Sequence, residues 1–211
     1  MTARTVEDRL REAYFSLLPD VRAALVELEA MASYAVMPIR LQLKQRHERL
    51  VLRSRVKECE SAIGSLQRKE EAKQFDPSQP EKYRLDSLPD LAGTRVFVFP
   101  SARIESVREA MESAFPNWTA DHVVDPTTGL VLAWKHHGFC PGNPHVRCEY
   151  QIVPMLIGLF WDVEHAAIYK PDRNLIGVTR APLMQERTRQ VYEALKDFEE
   201  EFTRQIEAPR G

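Results

Sequence analysis

Apolar residues recur along the chain at two periods, and the switches between them mark out the elements. Val6, Leu10, Tyr14 and Leu17, followed by Val21, Leu25 and Leu28, keep helical spacing, and Pro19 predicts a break or kink between the two runs. Ile39, Leu41 and Leu43 carry a further helical stretch over about 37–50. Residues 51–57 read as a short strand that turns at 58–61 into a helix running to about 73, with Ser61 as its N-cap. The segment 74–89 is polar and holds Pro77, Pro80 and Pro89, which predicts a loop. Alternation over 95–99 (RVFVF) marks a buried strand, and Ile104, Val107, Met111 and Ala114 an amphipathic helix after it. Residues 117–128 read as irregular, 130–134 as a second strand, and 136–145 (HHGFCPGNPH) as a long hairpin loop.

The third clear strand covers 146–153. Its pleat places Arg147, Glu149 and Gln151 on one face and Cys148, Tyr150 and Ile152 on the other. Three polar side chains in a row on a central strand need either water or a site. Pro154 opens a helix to about 169, with Trp161, Glu164, His165 and Ile168 on one face, and Pro171 ends it. Val191, Leu195, Phe198, Phe202 and Ile206 form a last amphipathic helix. Alternating helices and strands define an α/β class with a mixed sheet.

The 211 residues are enough for a full core and are read as one domain (1–211) with appended helices. No apolar run approaches a membrane span, and the N-terminal residues form a mixed-charge helix rather than a signal sequence, so no membrane partner is expected. The three cysteines, Cys59, Cys140 and Cys148, are few and odd in number, which fits a reducing cytoplasm. A net charge of -2 argues against a protein that coats long nucleic acid. The local balance differs. Between Arg40 and Lys57 seven cations (Arg40, Lys44, Arg46, Arg49, Arg53, Arg55, Lys57) face one acid, Glu48. Such a run is usually a solvated face. Here it leads into Arg55 and Lys57, which share one face of a strand beside a helix N-terminus and so make a cradle for polyphosphate.

Two carboxylates complete the candidate chemistry. Asp90 and Glu149 each border a predicted strand, and converging carboxylates hold Mg²⁺ together with substrate phosphates. A rival site lies in His136, His137, Cys140, His145 and Cys148, whose residue types suit Zn²⁺. Their spacing matches no standard zinc knuckle, and Cys148 would point away from His145, so a polar hairpin is the simpler reading. The chain has no phosphate loop, no Gly-rich dinucleotide turn and no Ser-His-Asp spacing.

Four stretches in order resemble the synthetase domain of the RelA/SpoT family, particularly its single-domain small alarmone synthetases. They are RVKECES (55–61), DLAGTR (90–95), CEYQI (148–152) and WDVEHAAIYK (161–170), and the likeness covers about 53–171. Helical flanks at 1–50 and 180–208 suit the small members. The resemblance implies a nucleotidyltransferase-like mixed β-sheet flanked by helices. It also implies Mg²⁺-dependent transfer of pyrophosphate from ATP to the 3′-hydroxyl of GDP or GTP. Carried over, Arg55, Lys57 and Ser61 hold ATP phosphates, and Asp90 binds Mg²⁺. Glu149 serves the metal or activates the hydroxyl, Gln151 supports the acceptor, and Arg95 and His165 have supporting places. Two departures stand out. Ser65 occupies the place of a family lysine. The acceptor-base motif aligns with GLVLAW (129–134), where Leu130 replaces its tyrosine and Trp134, replacing its histidine, offers another stacking face. Two alternatives follow: a toxin-like relative acting on the tRNA 3′ end, or a degenerate member that binds nucleotides or partners without catalysis. By resemblance, a homo-oligomer is expected.

Overall fold

The apolar stripe that begins at Val6 does not stop at Pro19. In the computed structural model, which describes residues 5–43, 45, 47–70, 74–125, 129–164 and 182–207, it forms one 37-residue helix, α1 (Val6–Gln42). At 1.5 Å per residue α1 is about 55 Å long. Thr5 and Asp8 form a capping box at its start. Pro19 and Pro38 lie inside it, both on exposed positions where the carbonyls they leave unbonded reach water. The expected helix over 37–50 is therefore corrected: α1 ends at Gln42, and alternation takes over at Arg49, the start of β1 (Arg49–Val56).

After β1 come α2 (Cys59–Gln67), β2 (Ala92–Phe99), α3 (Ile104–Ala114), β3 (Thr119–Val124), β4 (Val131–Cys140), β5 (Asn143–Pro154), α4 (Met155–Glu164) and α5 (Pro182–Glu207). The five strands form one sheet in the order β1-β2-β5-β4-β3. The β2–β5 pair is parallel and the other three pairs are antiparallel, the mixed sheet that the sequence predicts. Two segments depart from expectation. Residues 119–124 are an edge strand, almost all exposed, so no buried alternation marked them. The stretch read as a loop at 136–145 is mostly strand: β4 and β5 meet in a tight turn at Pro141–Gly142. Glu27 of α1 holds that turn, accepting from the Gly142 N–H (2.8 Å) and from Asn143 Nδ2 (2.6 Å).

The main core lies between α1, α2 and α3 and one face of the sheet. Leu10, Val21, Leu28 and Val36 of α1 meet Ile63, Met111, Val96, Cys148, Tyr150 and Ile152 there. Trp118 lies so close to Gly138 that any Cβ at 138 would enter its indole ring. On the other face α4 packs over Phe97, Val153 and Ala133, and among the described residues no helix covers the row of Glu149. Contact there is close: a Cβ on Gly158 would collide with Val153 Cγ1 and come within 3.0 Å of the Phe97 ring. Among the described residues no helix is long and apolar enough to cross a membrane.

Glu199 of α5 is 2% exposed beside the turn at Ser101–Arg103, and burial pushes its carboxyl up from the ordinary 4.5 against weaker pulls from Ser101 and the Leu156 backbone. The folded chain thus keeps a proton that the unfolded chain releases, so stability falls as pH rises from 4.5 through the raised value. Glu199→Gln, which carries no charge to bury, is expected to melt higher than the native protein at pH 8. That gap should close toward pH 4. A thermal melt series across this range checks it, and a pH-independent gap would contradict it.

Candidate active site

The pleat decides which side chains can meet on the face that α4 packs against. Strand registers align Arg55, Gly93, Glu149, His137 and Thr119 in one row across the sheet, and Arg53, Arg95, Gln151, Lys135 and Asp121 in the next. A third row, Val51, Phe97 and Val153, is apolar, and α4 lies over Phe97 and Val153. The β1, β2 and β5 members of the two polar rows (Arg53, Arg55, Gly93, Arg95, Glu149 and Gln151), with Asp162 reaching in from α4, line a cleft of about 310 Å³. The face assigned to Arg147, Glu149 and Gln151 from alternation alone is this one.

Glu149 lines the cleft from β5 and is 6% exposed. Gln151 Nε2 donates to its Oε1 (2.5 Å), while His137 Nδ1 and Lys135 Nζ lie 3.5 and 3.8 Å from its Oε2. The Gln151 amide oxygen in turn accepts from Arg95 Nε (2.9 Å), and Arg95 also pairs with Asp162. The Arg95 guanidinium lies over the Trp161 ring (5.0 Å) and the Phe97 ring (5.7 Å), and that of Arg53 over Phe97 (5.2 Å). A chain of hydrogen bonds therefore runs from α4 through Arg95 and Gln151 to Glu149, fixing the orientation of the carboxylate. Between Arg55 and Glu149 stands Gly93, where a Cβ would meet only the Glu149 carbonyl oxygen at 3.7 Å. The floor of the cleft is bare backbone at that point, free for a ligand to approach.

Arg55, Arg95, Glu149 and Gln151 are thus brought together. Asp90 and Lys57 are not among the residues that line the cleft: they lie just after β1 and just before β2, where Lys57 Nζ donates to Asp90 Oδ2 (2.5 Å). The Lys57 backbone is fixed twice, its N–H by Leu91 O (2.8 Å) and its carbonyl by the Tyr14 hydroxyl of α1 (2.7 Å). Ser61 is a correction. It lies inside the first turn of α2 and does not cap it, because the helix starts at Cys59 and its N-cap is Glu58, whose extended backbone carbonyl accepts from Ala62 N–H. α2 also ends earlier than expected, at Gln67. Ser65 bonds back to the Ser61 carbonyl (2.8 Å) and accepts from Arg68 Nη2 (2.8 Å), so the guanidinium of the C-cap residue reaches back to Ser65.

Trp134 is the second correction. It pairs in register with Ile152 and therefore lies on the opposite face from Glu149 and Gln151, with Arg108 over its ring at 5.9 Å. Leu130 packs near Leu132, Ile157 and Tyr192, away from the cleft. Neither lines the cleft. The zinc grouping comes apart for the same reason. His136 is buried and stacks on Tyr150 (4.5 Å), Cys140 and Cys148 are in the helix-side core, and His137 turns to Glu149. Burial pushes the His136 imidazole down against the pull of Glu112. Among the described residues no group of three His, Cys, Asp or Glu is placed to hold a metal ion. His165 lies outside the described residues, as do Lys44 and Arg46 of the basic run.

Residues that sequence reasoning missed are Arg53, Phe97, Lys135, His137 and Asp162. Arg53 shares the parity of Arg55, and Asp162 stands inside the quoted 161–170 stretch, so both had a signal. Lys135 and His137 had none for this site, because the strand was read only over 130–134 and 136–145 as a loop, while β4 runs from Val131 to Cys140.

A mixed five-stranded sheet with flanking and terminal helices is the fold seen in solved small alarmone synthetases. The solved structure of small alarmone synthetase 1 from Bacillus subtilis matches with a TM-score of 0.65 at 20% identity, over 92% of this chain and 95% of that one. The same protein bound to its product pppGpp matches with a TM-score of 0.68 at 18% identity, over 94% and 99%. A GTP pyrophosphokinase family protein from Streptococcus pneumoniae matches at 0.62 and 17%, over 92% of each chain. At this distance the likeness is one of fold. No protein-family model and no curated protein matches the sequence.

Proposed function

We propose that the protein transfers pyrophosphate from ATP to the 3′-hydroxyl of a guanine nucleotide, GDP or GTP. The observation that carries this reading is the row Arg55, Gly93, Glu149: a cation, a bare floor and an oriented carboxylate in one cleft. The fold supports it, since one of its neighbours was solved with AMPCPP and another with pppGpp. Arg53, Arg55 and Lys57 face donor phosphates, with Ser61 at the start of α2 adding a hydroxyl. Arg95 holds Gln151 and stacks on aromatic rings, so it positions more than it reacts. Glu149 takes the proton of the acceptor 3′-hydroxyl. That oxygen bonds to the β-phosphorus of ATP as the bridge to the α-phosphate breaks, and AMP leaves. Lys135 beside Glu149 adds a cation near the transferring phosphates.

The donor set suits Mg²⁺, a hard ion that accepts one or two carboxylates and completes its shell with phosphates and water. Asp90 and Glu149 would hold it, and when bound it neutralises charge on the transferring phosphates. The test is a transfer assay with labelled ATP, Mg²⁺ and, separately, GDP, GTP, ATP and bulk tRNA, with products resolved by mass. A product heavier than its acceptor by one pyrophosphate is expected with GDP or GTP. A product on tRNA alone would move the reading to RNA ends, and silence from all four in a folded sample would end it.

A further inference from the structure

The face that carries Glu149 continues past the cleft. One row beyond Glu149 and His137, the register pairs Phe139 of β4 with Arg147 of β5. Phe139 is 46% exposed, and the Arg147 guanidinium lies over its ring at 5.7 Å. A lone exposed phenylalanine needs no explanation. This one is set apart by its fixed place: Trp118 Nε1 donates to its carbonyl (3.3 Å), and the strand bulges directly after it. Rows on a strand repeat about every 7 Å. The ring is therefore about one row from the carboxylate that takes the acceptor proton, on the side away from Arg53 and Arg55.

We propose that Phe139 and Arg147 form the subsite for the base of the acceptor nucleotide, a reading that rests on the proposed transfer reaction. A flat aromatic face beside a guanidinium is the chemistry that holds a nucleobase, through stacking on one side and a cation over the π system on the other. A base stacked there places its own ribose toward Glu149 and His137, across a span comparable with the row spacing. Donor and acceptor then approach Glu149 from opposite sides, the donor over β1 and β2 and the acceptor over the far ends of β4 and β5. The subsite also accounts for Leu130 and Trp134, which face elsewhere. Two sources share this chemistry: a free guanosine nucleotide, and the terminal nucleoside of an RNA strand.

The test is calorimetric titration of the native protein, Phe139→Ala, Phe139→Trp and Arg147→Ala. The ligands are GDP, a short single-stranded RNA ending in CCA, and AMPCPP as the donor control. Phe139→Ala is expected to weaken GDP or the RNA by roughly 5- to 150-fold, with Phe139→Trp restoring affinity and AMPCPP unchanged. Loss confined to GDP assigns a free nucleotide, and loss confined to the RNA assigns a strand end; either supports the subsite. Unchanged acceptor binding, an equal loss for AMPCPP, or no binding of either acceptor to the native protein would overturn it. Ring-dependent binding without any transfer product would leave the subsite standing and remove the transfer reaction.

Discussion

Glu149→Gln should lower the turnover of pyrophosphate transfer by roughly 10²–10⁴-fold, the range for loss of a general base, with the melting midpoint nearly unchanged. The amide matches the carboxylate in shape and still offers Gln151 Nε2 an acceptor oxygen in place of Glu149 Oε1. It cannot take the acceptor proton, and it gives up the attraction to Lys135. The loss belongs in kcat, because Arg53 and Arg55 still meet the donor. Steady-state rates at saturating ATP and GDP, with the KM for ATP measured alongside, check this. A native kcat in the variant would remove Glu149 from the chemistry.

The second large effect is structural. Gly158→Val is expected to destabilise the fold at the upper end of the roughly 1–3 kcal/mol typical of overpacking. The clash is with Val153 Cγ1 and the Phe97 ring, side chains fixed on two neighbouring strands. Relief requires α4 to lift, and α4 carries Asp162 to Arg95. Nucleotide affinity should fall along with stability. Gly158→Ala sets the same clash against a gain of up to about 1 kcal/mol in helix propensity, so it should fall between the native protein and the valine variant. Urea midpoints of the three proteins rank them. Equal midpoints would mean that α4 does not press on the sheet as described.

The sheet and its polar face were legible because buried alternation is a local signal. Cys148, Tyr150 and Ile152 go to the core, so Arg147, Glu149 and Gln151 must go the other way. What failed was whatever a distant partner decides. Pro19 and Pro38 signal helix ends, yet both sit on exposed positions of a helix whose buried seam continues past them. His136 and His137 read as loop because Pro141, Gly142 and Pro144 follow closely. One is buried against Tyr150 and the other faces Glu149, and only pairing with β5 separates them. Trp134 went to the wrong side because a motif was aligned by spacing, while its register against Ile152 fixes its face.

That register limits which changes this chain can absorb. On β5, every second residue belongs to the cleft and the residues between belong to the core, so the two are not separable by position along the strand. A single-residue insertion or deletion between Val146 and Val153 would exchange the two sets over the shifted part of the strand. Glu149 and Gln151 would enter a dry interior, and Cys148, Tyr150 and Ile152 would face water. Point substitutions can retune this cleft one residue at a time, but length changes in its central strand cannot. Length variation is confined to the connections between strands, so new specificity would have to come from the loops.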